Sequence, residues 1–197
     1  NIIASVAVDR KTPVAVSTVT AEEIELKLGS QEFPEILKST PGVFATRAGG
    51  GFGDGRINIR GFTSVNVAVL INGIPINDME NGRVFWSNWA GLGGVTSSMQ
   101  VQRGLGASKL AVPSIGGTIN IITRTTDVEA GGNVFADIGN DGRRKFGLMY
   151  STGLMENGFA VTVAADKTDG DGYVDGTQFT SVSYFLNISN RINDQHK

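Results

Sequence analysis

The last third of this chain alternates between apolar residues and small or polar residues. Four successive segments of about ten residues place apolar side chains at every second position. Successive side chains of a β-strand point to opposite faces, so each segment predicts a strand with one apolar face. The apolar side chains of the four segments are Val134, Ala136 and Ile138; Phe146, Leu148 and Tyr150; Phe159, Val161, Val163 and Ala165; and Val182, Tyr184, Leu186 and Ile188.

This alternation is typical of transmembrane β-strands, although a soluble antiparallel sheet would alternate in the same way. Two details favour the membrane. The polar faces consist mainly of small residues, and the connections are unequal, with a tight turn over residues 154–158 and a long one over residues 167–178. Outer-membrane barrels have short periplasmic turns and longer outer loops. We also expect Arg143 to lie in the outer turn between the first two strands, without a structural role.

The alternation predicts which side chains meet lipid. No apolar run approaches the roughly 18 to 20 residues of a membrane helix, so any membrane-spanning part would consist of strands. A register shift of one residue would exchange the two faces. Phe146, Leu148, Tyr150, Val161, Val163, Val182, Tyr184 and Leu186 are expected to face lipid, and Ser151, Thr162, Ser183 and Asn187 the barrel interior.

The region before these strands contains two predicted helices. Thr20 and Glu23 form a capping box, which predicts a helix over about residues 21–28. A second helix has Pro34 in its first turn. It must end before Pro41, because the residue that precedes a proline leaves the helical region.

Short strands separated by glycine-rich turns fill the rest of this region. Glycine accounts for 27 of the 197 residues, about twice its usual share. Asn72-Gly73 predicts a type I′ hairpin turn. The pattern therefore indicates an α+β region, with a change to successive alternating strands around residue 125. The strands expected in the first domain cover residues 12–19, 56–60, 65–71, 95–101 and 118–123, after an apolar run over residues 2–8.

Several kinds of function are excluded by composition and spacing. The 17 basic and 19 acidic residues leave no basic stripe for nucleic acid. The chain has no cysteine, and its single histidine, His196, can form neither a catalytic triad nor a metal cluster. Residues 169–175 resemble half of a calcium loop, but Lys167 and Gln178 occupy two principal ligand positions. We therefore predict no catalysis, no cofactor and no metal site.

Six groups of residues occur in the order in which they occur in one family. Through these groups and their order, the chain resembles the plug domain of the TonB-dependent outer-membrane receptors of bacteria. The groups are Thr12-Pro13-Val14 with Thr20-Ala21-Glu22-Glu23-Ile24; Leu37-Lys38-Ser39-Thr40-Pro41-Gly42-Val43; Arg56-Ile57-Asn58-Ile59-Arg60-Gly61-Phe62; Val69-Leu70-Ile71-Asn72-Gly73-Ile74-Pro75; Val101-Gln102-Arg103-Gly104; and Gly116-Gly117-Thr118-Ile119-Asn120-Ile121-Ile122-Thr123.

The resemblance implies an α+β plug domain over residues 1–128. It also implies that antiparallel transmembrane β-barrel strands follow over residues 129–197, a partial barrel that contains the first strands of about 22. We therefore expect the chain to be part of a larger protein in the bacterial outer membrane. The implied function is import of a scarce substrate, such as a siderophore, metal complex, vitamin, peptide or oligosaccharide, by energy-coupled plug rearrangement. The implied partners are outer-membrane lipid, a TonB-type energy-transducing complex, the substrate and a possible surface lipoprotein. Two alternatives are a receptor-like barrel that serves as a structural subunit of an envelope assembly and a free-standing soluble β-rich binding module.

A glycine-rich segment over residues 49–55 suggests one contact with substrate. It lacks the glycine spacing of dinucleotide-binding and phosphate-binding loops. The resemblance places it at the outer tip of the plug, with Arg47 beside it and Phe52 within it. We expect both side chains to contact substrate, and the alternative is a flexible surface loop.

An aromatic cluster suggests a second contact with substrate. Phe85, Trp86 and Trp89 lie near polar residues that include Asn81. Ligand sites commonly combine aromatic side chains with a few polar groups. These four residues are therefore predicted to bind substrate, although the aromatic side chains could equally seal the plug against the barrel.

Three arginines are candidates for holding the plug in place. A plug that fills a polar lumen needs a polar surface, and a guanidinium group can bridge to carboxylates of the wall. The resemblance implies that Arg56, Arg60 and Arg103 make such plug–barrel contacts. The alternative is that they are ordinary surface arginines.

Overall fold

The computed structural model of the protein describes residues 15–29, 31–48, 52–104, 114–124 and 129–192. The predicted apolar run at residues 2–8 and His196 lie outside these ranges. In the described part, no helix is long and apolar enough to cross a membrane. The helices are α1 (Ala21–Leu28), α2 (Leu92–Val95) and the 3-10 helices Phe33–Ser39, Ser64–Asn66 and Trp86–Trp89. The strands are β1 (Ala15–Thr20), β2 (Val43–Arg47), β3 (Gly55–Ile59), β4 (Val67–Ile71), β5 (Ile74–Pro75), β6 (Thr96–Arg103), β7 (Gly117–Thr123), β8 (Gly131–Ile138), β9 (Arg144–Ser151), β10 (Phe159–Gly170) and β11 (Phe179–Asn190).

The first domain is built on a mixed five-stranded sheet in the order β1-β6-β7-β4-β5. The β4–β7 pair is parallel, and the other neighbours are antiparallel. One face of the sheet contributes to a buried apolar cluster together with α1, α2 and two of the 3-10 helices. Its members are Val19, Ile24, Phe33, Ile36, Leu37, Ala45, Ile57, Ile59, Val67, Val69, Trp86, Leu92, Val95, Met99, Val101, Ile119 and Ile121.

The two predicted helices begin and end where the sequence indicates. The Thr20 hydroxyl accepts from the Glu23 amide at 3.3 Å, and the Glu23 carboxylate accepts from the Thr20 amide at 3.1 Å, which confirms the capping box. The second helix covers Phe33–Ser39 but has the tighter 3-10 geometry. Its first and last hydrogen bonds span three residues, as a short segment between two prolines allows.

The predicted hairpin turn is confirmed. Asn72 and Gly73 have φ values of +51° and +83°, and a type I′ turn requires positive φ at both central residues. The strand before the turn begins at Val67, two residues later than predicted. Ser64–Asn66 forms a 3-10 turn instead, in which the Asn66 amide donates to the Thr63 carbonyl at 2.9 Å.

The second domain is an antiparallel four-stranded sheet in the order β11-β10-β9-β8, called the wall below. The connections over residues 139–143 and 171–178 lie at one end, where the Asp171 amide donates to the Asp141 carbonyl at 2.8 Å. The predicted connection over residues 167–178 is shorter than expected. Residues 167–170 belong to β10, because β11 pairs with all four of them and β9 pairs with residues 167–169.

The wall has the two faces that the alternation predicts. In β10, Val163 pairs with Tyr150 and Leu186, on the face predicted to meet lipid. Thr162 pairs with Ser151 and Asn187 on the other face. Tyr184 is 90% exposed on the first face, whereas Thr162 is 1% exposed on the second. The second face covers the first domain, so the predicted division of these side chains between two faces is confirmed. Contact of the first face with lipid stays a prediction.

Candidate functional site

The two domains meet where α2 approaches the inner face of the wall. Gly91 lies immediately before α2, and a Cβ atom there would be 2.6 Å from the Cβ of Ser183 and 2.7 Å from Oδ2 of Asp166. Only glycine permits so close an approach. Ala164 and Phe185 of the wall pack against the buried cluster of the first domain. The inner face of the wall is therefore part of the domain interface.

Charged side chains of the wall lie at this interface. Nζ of Lys145 is 3.9 Å from Oδ1 of Asp166, and both side chains are largely buried. The same ammonium group lies 5.4 Å from the centre of the Phe135 ring, within range of a cation–π interaction. The sequence analysis did not single out these residues, although both charges occupy inward positions of the alternating pattern.

Arg143 makes contacts that do not fit the expectation of a turn residue without a structural role. It lies in the turn between the first two strands, as predicted, but only 14% of its side chain is exposed. Its guanidinium group donates to the Asp137 carboxylate. It also lines a cavity together with residues of the first domain, a position that the sequence of a turn does not reveal.

Phe52 joins the first domain to the wall. Its ring is stacked on that of Phe179, with centroids 4.2 Å apart and an angle of 11° between the planes. Both side chains lie near the end of the wall that carries the connection over residues 171–178. Phe52 also lines a cavity of about 20 Å³ between the domains, with Trp86, Trp89 and Arg143 among its other lining residues. Such a volume holds about one water molecule.

The predicted aromatic cluster is divided by the fold. Trp86 is 5% exposed and belongs to the core, where its ring lies 5.6 Å from that of Phe33. Trp89 packs against the same core. Phe85 and Asn81 are exposed and do not line the cavity of Phe52. Only Phe52, Trp86 and Trp89 of the predicted substrate contacts therefore come together.

Arg47 makes an ion pair within the first domain. Its Nη2 atom lies 2.9 Å from Oε2 of Glu35, a carboxylate on a side chain only 6% exposed. Lys38 and the Glu32 amide also donate to this carboxylate. Burial acts to raise the pKa of Glu35, but the hydrogen bonds from Lys38, the Glu32 amide and Arg47 outweigh it and lower the pKa.

Glu32 is a second carboxylate near the domain interface. Burial raises its pKa above the ordinary value, although a hydrogen bond from the Gly53 amide and the positive charges of Arg47 and Arg143 oppose the shift. Arg47 belongs to the first domain, whereas Arg143 belongs to the wall. Glu32 is therefore influenced by charges from both domains.

The three predicted plug–barrel arginines have different surroundings. Arg56 is exposed on β3. Nη1 of Arg103 donates to the Pro41 carbonyl at 2.7 Å, and the Arg60 amide donates to the Gly42 carbonyl at 2.8 Å. Arg60 and Arg103 thus lie together beside the Gly42 turn, and contacts of all three with wall carboxylates remain a prediction.

A larger cavity of about 310 Å³ lies between the helices of the first domain and strands β8–β10. Arg124 and Glu25 line it as an ion pair with a 2.7 Å contact. Lys145, Asp166 and Asp137 line it from the wall. Because these charges are paired with one another or with Arg143, the cavity presents no strong net charge to a ligand.

The geometry is that of a mixed α/β domain packed on the polar face of a strongly two-faced sheet. A family model described as the TonB-dependent receptor plug domain matches residues 8–118, more than half of the chain. The chain belongs to the TonB-dependent receptor family. The first domain is thus the plug, and the predicted recognition is confirmed.

Known relatives lead to the same family. The chain is 30% identical over 193 residues to the ferric enterobactin receptor of Pseudomonas aeruginosa, covering 87% of this chain and 26% of that protein. It is 34% identical over 160 residues to the vitamin B12 transporter BtuB of Photobacterium profundum, covering 80% and 25% respectively. The chain thus spans about a quarter of the length of these relatives. They are receptors and transporters, not enzymes, in agreement with the prediction.

Solved structures share the fold. The pyoverdine outer-membrane receptor FpvA of Pseudomonas aeruginosa, bound to pyoverdine, matches with a TM-score of 0.71 and 19% identity over 93% of this chain and 26% of that one. The unliganded ferric citrate transporter FecA matches with a TM-score of 0.69 and 22% identity over 92% and 29%. A plug followed by the first strands of an outer-membrane barrel is therefore confirmed.

Proposed function

We propose that the protein containing this chain imports an iron–siderophore complex or a vitamin B12-like compound across the outer membrane. The observation that supports it is the packing of the plug on the inner face of the wall, while the other face exposes apolar side chains. The ferric enterobactin receptor and the vitamin B12 transporter suggest the two ligand classes.

The physical requirements of such import agree with this arrangement. A barrel of about 22 strands has a lumen too wide for its own side chains to fill, so a folded domain must block it. The exposed face of Phe146, Leu148 and Tyr150 suits contact with lipid. The inner face carries small polar side chains such as Thr162 and Ser151, whose hydroxyl groups are hydrogen-bonded to each other at 3.2 Å.

The substrate is proposed to bind at the outer end of the plug. Phe52, at the end of the wall with the longer connection, is the predicted contact best placed there. Arg47, Asn81, Phe85, Trp86 and Trp89 remain weaker candidates, because Arg47 pairs with Glu35 and Trp86 is buried in the core. A TonB-type complex would supply the energy for plug rearrangement, and a surface lipoprotein remains a further candidate partner.

Uptake by the full-length receptor tests this proposal. The full-length receptor would be expressed in a Gram-negative strain that lacks its own siderophore and vitamin B12 receptors. We expect uptake of radiolabelled ferric enterobactin or of cobalamin that stops when a protonophore removes the energy source. A strain carrying the empty vector is the control. Absence of energy-dependent uptake, with stable co-purification of other envelope proteins, would instead support a structural role in an envelope assembly.

A further inference from the structure

We propose that a contact at the outer end of the interface couples the plug to the barrel connection over residues 171–178. This upper junction consists of Glu32, Phe52 and Gly53 of the plug and Arg143 and Phe179 of the wall. The proposal rests on the proposed function only in assigning this end of the wall to the cell exterior. Through the upper junction, a displacement of the connection loosens the plug segment around Phe52. A displacement of that plug segment loosens the connection in the same way.

The stacked rings are the centre of the upper junction. Phe52 and Phe179 come from different domains, and their planes are nearly parallel at a centroid distance of 4.2 Å. Phe179 is the first residue of β11, directly after the connection over residues 171–178. It pairs with Gly170, where a Cβ atom would be only 2.7 Å from Cζ of Phe179. The glycine therefore leaves the space that the Phe179 ring occupies.

Local contacts restrict the backbone of the plug at the upper junction. The Gly53 amide donates to the Glu32 carboxylate. Gly53 has a φ of +84°, and a Cβ atom there would be 2.5 Å from the Cβ of Ser87, so no other residue fits without strain. Oδ1 of Asp54 accepts from the Ser87 hydroxyl at 3.3 Å. Phe52 is thus attached to a short segment with fixed backbone.

A charge interaction lies beside the rings. Arg143 approaches Glu32 from the wall and is itself bonded to Asp137. Arg143 and Glu32 both line the cavity of about 20 Å³, which has room for about one water molecule. With so little water, the attraction between the two charges is screened less than at an open surface. The stacked rings and the charge interaction therefore both connect this end of the plug to this end of the wall.

Reciprocal hydrogen-exchange measurements on the full-length receptor test the coupling. Phe179→Leu changes only the wall, yet we expect amide exchange over residues 52–58 of the plug to become about two- to tenfold faster, as for the loss of one aromatic pair. Phe52→Leu changes only the plug, yet exchange over residues 171–178 should increase by a similar factor, because coupling between two sites is mutual. The double variant should exchange no faster than either single variant.

Phe135→Leu is the matched control, because Phe135 is also an inward-facing wall ring opposite a glycine, Gly147. It has no aromatic partner in the described part of the plug, and exchange in both segments should stay at the wild-type rate. Effects of Phe52→Leu and Phe179→Leu confined to the substituted domain, or effects that multiply in the double variant, would overturn the proposal. Heat-modifiable migration on gels confirms that each barrel is folded. No substrate is needed, so a failure here is distinct from a failure of uptake.

Discussion

At the scale of single residues, Glu35 organises a segment of the plug. Its buried carboxylate accepts hydrogen bonds from Arg47 at 2.9 Å, from the Glu32 amide at 3.0 Å and from Lys38. Glu35→Gln removes the charge and leaves two cations without their counter-ion. We expect the free energy of unfolding of the plug to fall by about 1 to 3 kcal/mol. Hydrogen exchange of plug amides in the full-length receptor measures it.

Glu23→Gln is the control, because the ion pair of Glu23 with Lys27 is a partly exposed 3.7 Å contact and glutamine retains the capping box. The pH dependence of the plug's stability gives a second measurement. The pKa of Glu35 is lowered from its ordinary value of 4.5. Its contribution to stability is therefore present above pH 4.5 and is lost as the pH falls through the lowered pKa. Glu35→Gln should remove this part of the acid sensitivity, and an unchanged pH profile would contradict the assignment.

The arginines beside the Gly42 turn allow a second prediction. If Arg60 and Arg103 bridge to wall carboxylates, replacing both by alanine leaves partly desolvated charges behind, at a cost that can reach about 3 to 5 kcal/mol. We expect a loosened plug and greater leakage of large antibiotics through a barrel that remains folded. Lys27→Ala, which removes a partly exposed charge of α1, should leave permeability unchanged. Wild-type permeability and uptake in the double variant would show that these arginines do not hold the plug.

At the scale of secondary-structure elements, what could be predicted depends on how far away the determining residues lie. The cap of α1 and the Asn72-Gly73 turn depend on a few neighbouring residues, and both were predicted. The extension of β10 to Gly170 depends on two partner strands, so its sequence suggested a loop. The proximity of Arg143 to Glu32 involves a plug residue more than 100 positions earlier in the chain, and no local pattern indicates it.

The central strands of the plug contain an exception to the rule that buried polar groups are paired. Nε2 of Gln102, Oγ1 of Thr118 and Oδ1 of Asn120 are buried and have no hydrogen-bond partner among the residues that the structure describes. Gln102 and Thr118 are opposite each other on β6 and β7. A buried unpaired group costs free energy, and an apolar side chain of the same shape does not. These three unpaired groups therefore weaken the sheet, which would have to rearrange when the plug moves.

Thr118→Val tests this view of the sheet. Valine has nearly the shape of threonine, so we expect the plug to become more stable by about 1 kcal/mol, measured by hydrogen exchange in the full-length receptor. Thr96→Val is the matched control, because Thr96 is equally buried but its hydroxyl donates to the Leu92 carbonyl at 2.7 Å. That variant should lose about 1 kcal/mol. Equal effects of the two substitutions would contradict the argument.

At the scale of the whole molecule, the wall separates two environments. Its alternating sequence gives one face of exposed large apolar side chains, such as Leu148 and Tyr184, and one face of small and charged side chains with a few aromatic rings among them. The described part of the plug meets the second face, among other places at Gly91, Ala164 and Phe185. The sequence predicted these faces because alternation is a local property. It did not predict the contacts across the interface, because they combine side chains from distant parts of the chain.

Cysteine labelling of the full-length receptor in membranes tests this separation directly. The chain contains no cysteine, so single cysteines introduced into it add no competing site within residues 1–197. Leu148→Cys and Val163→Cys should react with a lipid-soluble maleimide and resist a charged, water-soluble one. Thr162→Cys and Ser151→Cys, which lie on neighbouring strands but point inward, should not react with the lipid-soluble reagent. Because a shift of one residue in register exchanges the faces of a strand, the reverse pattern would show that the wall is turned the other way.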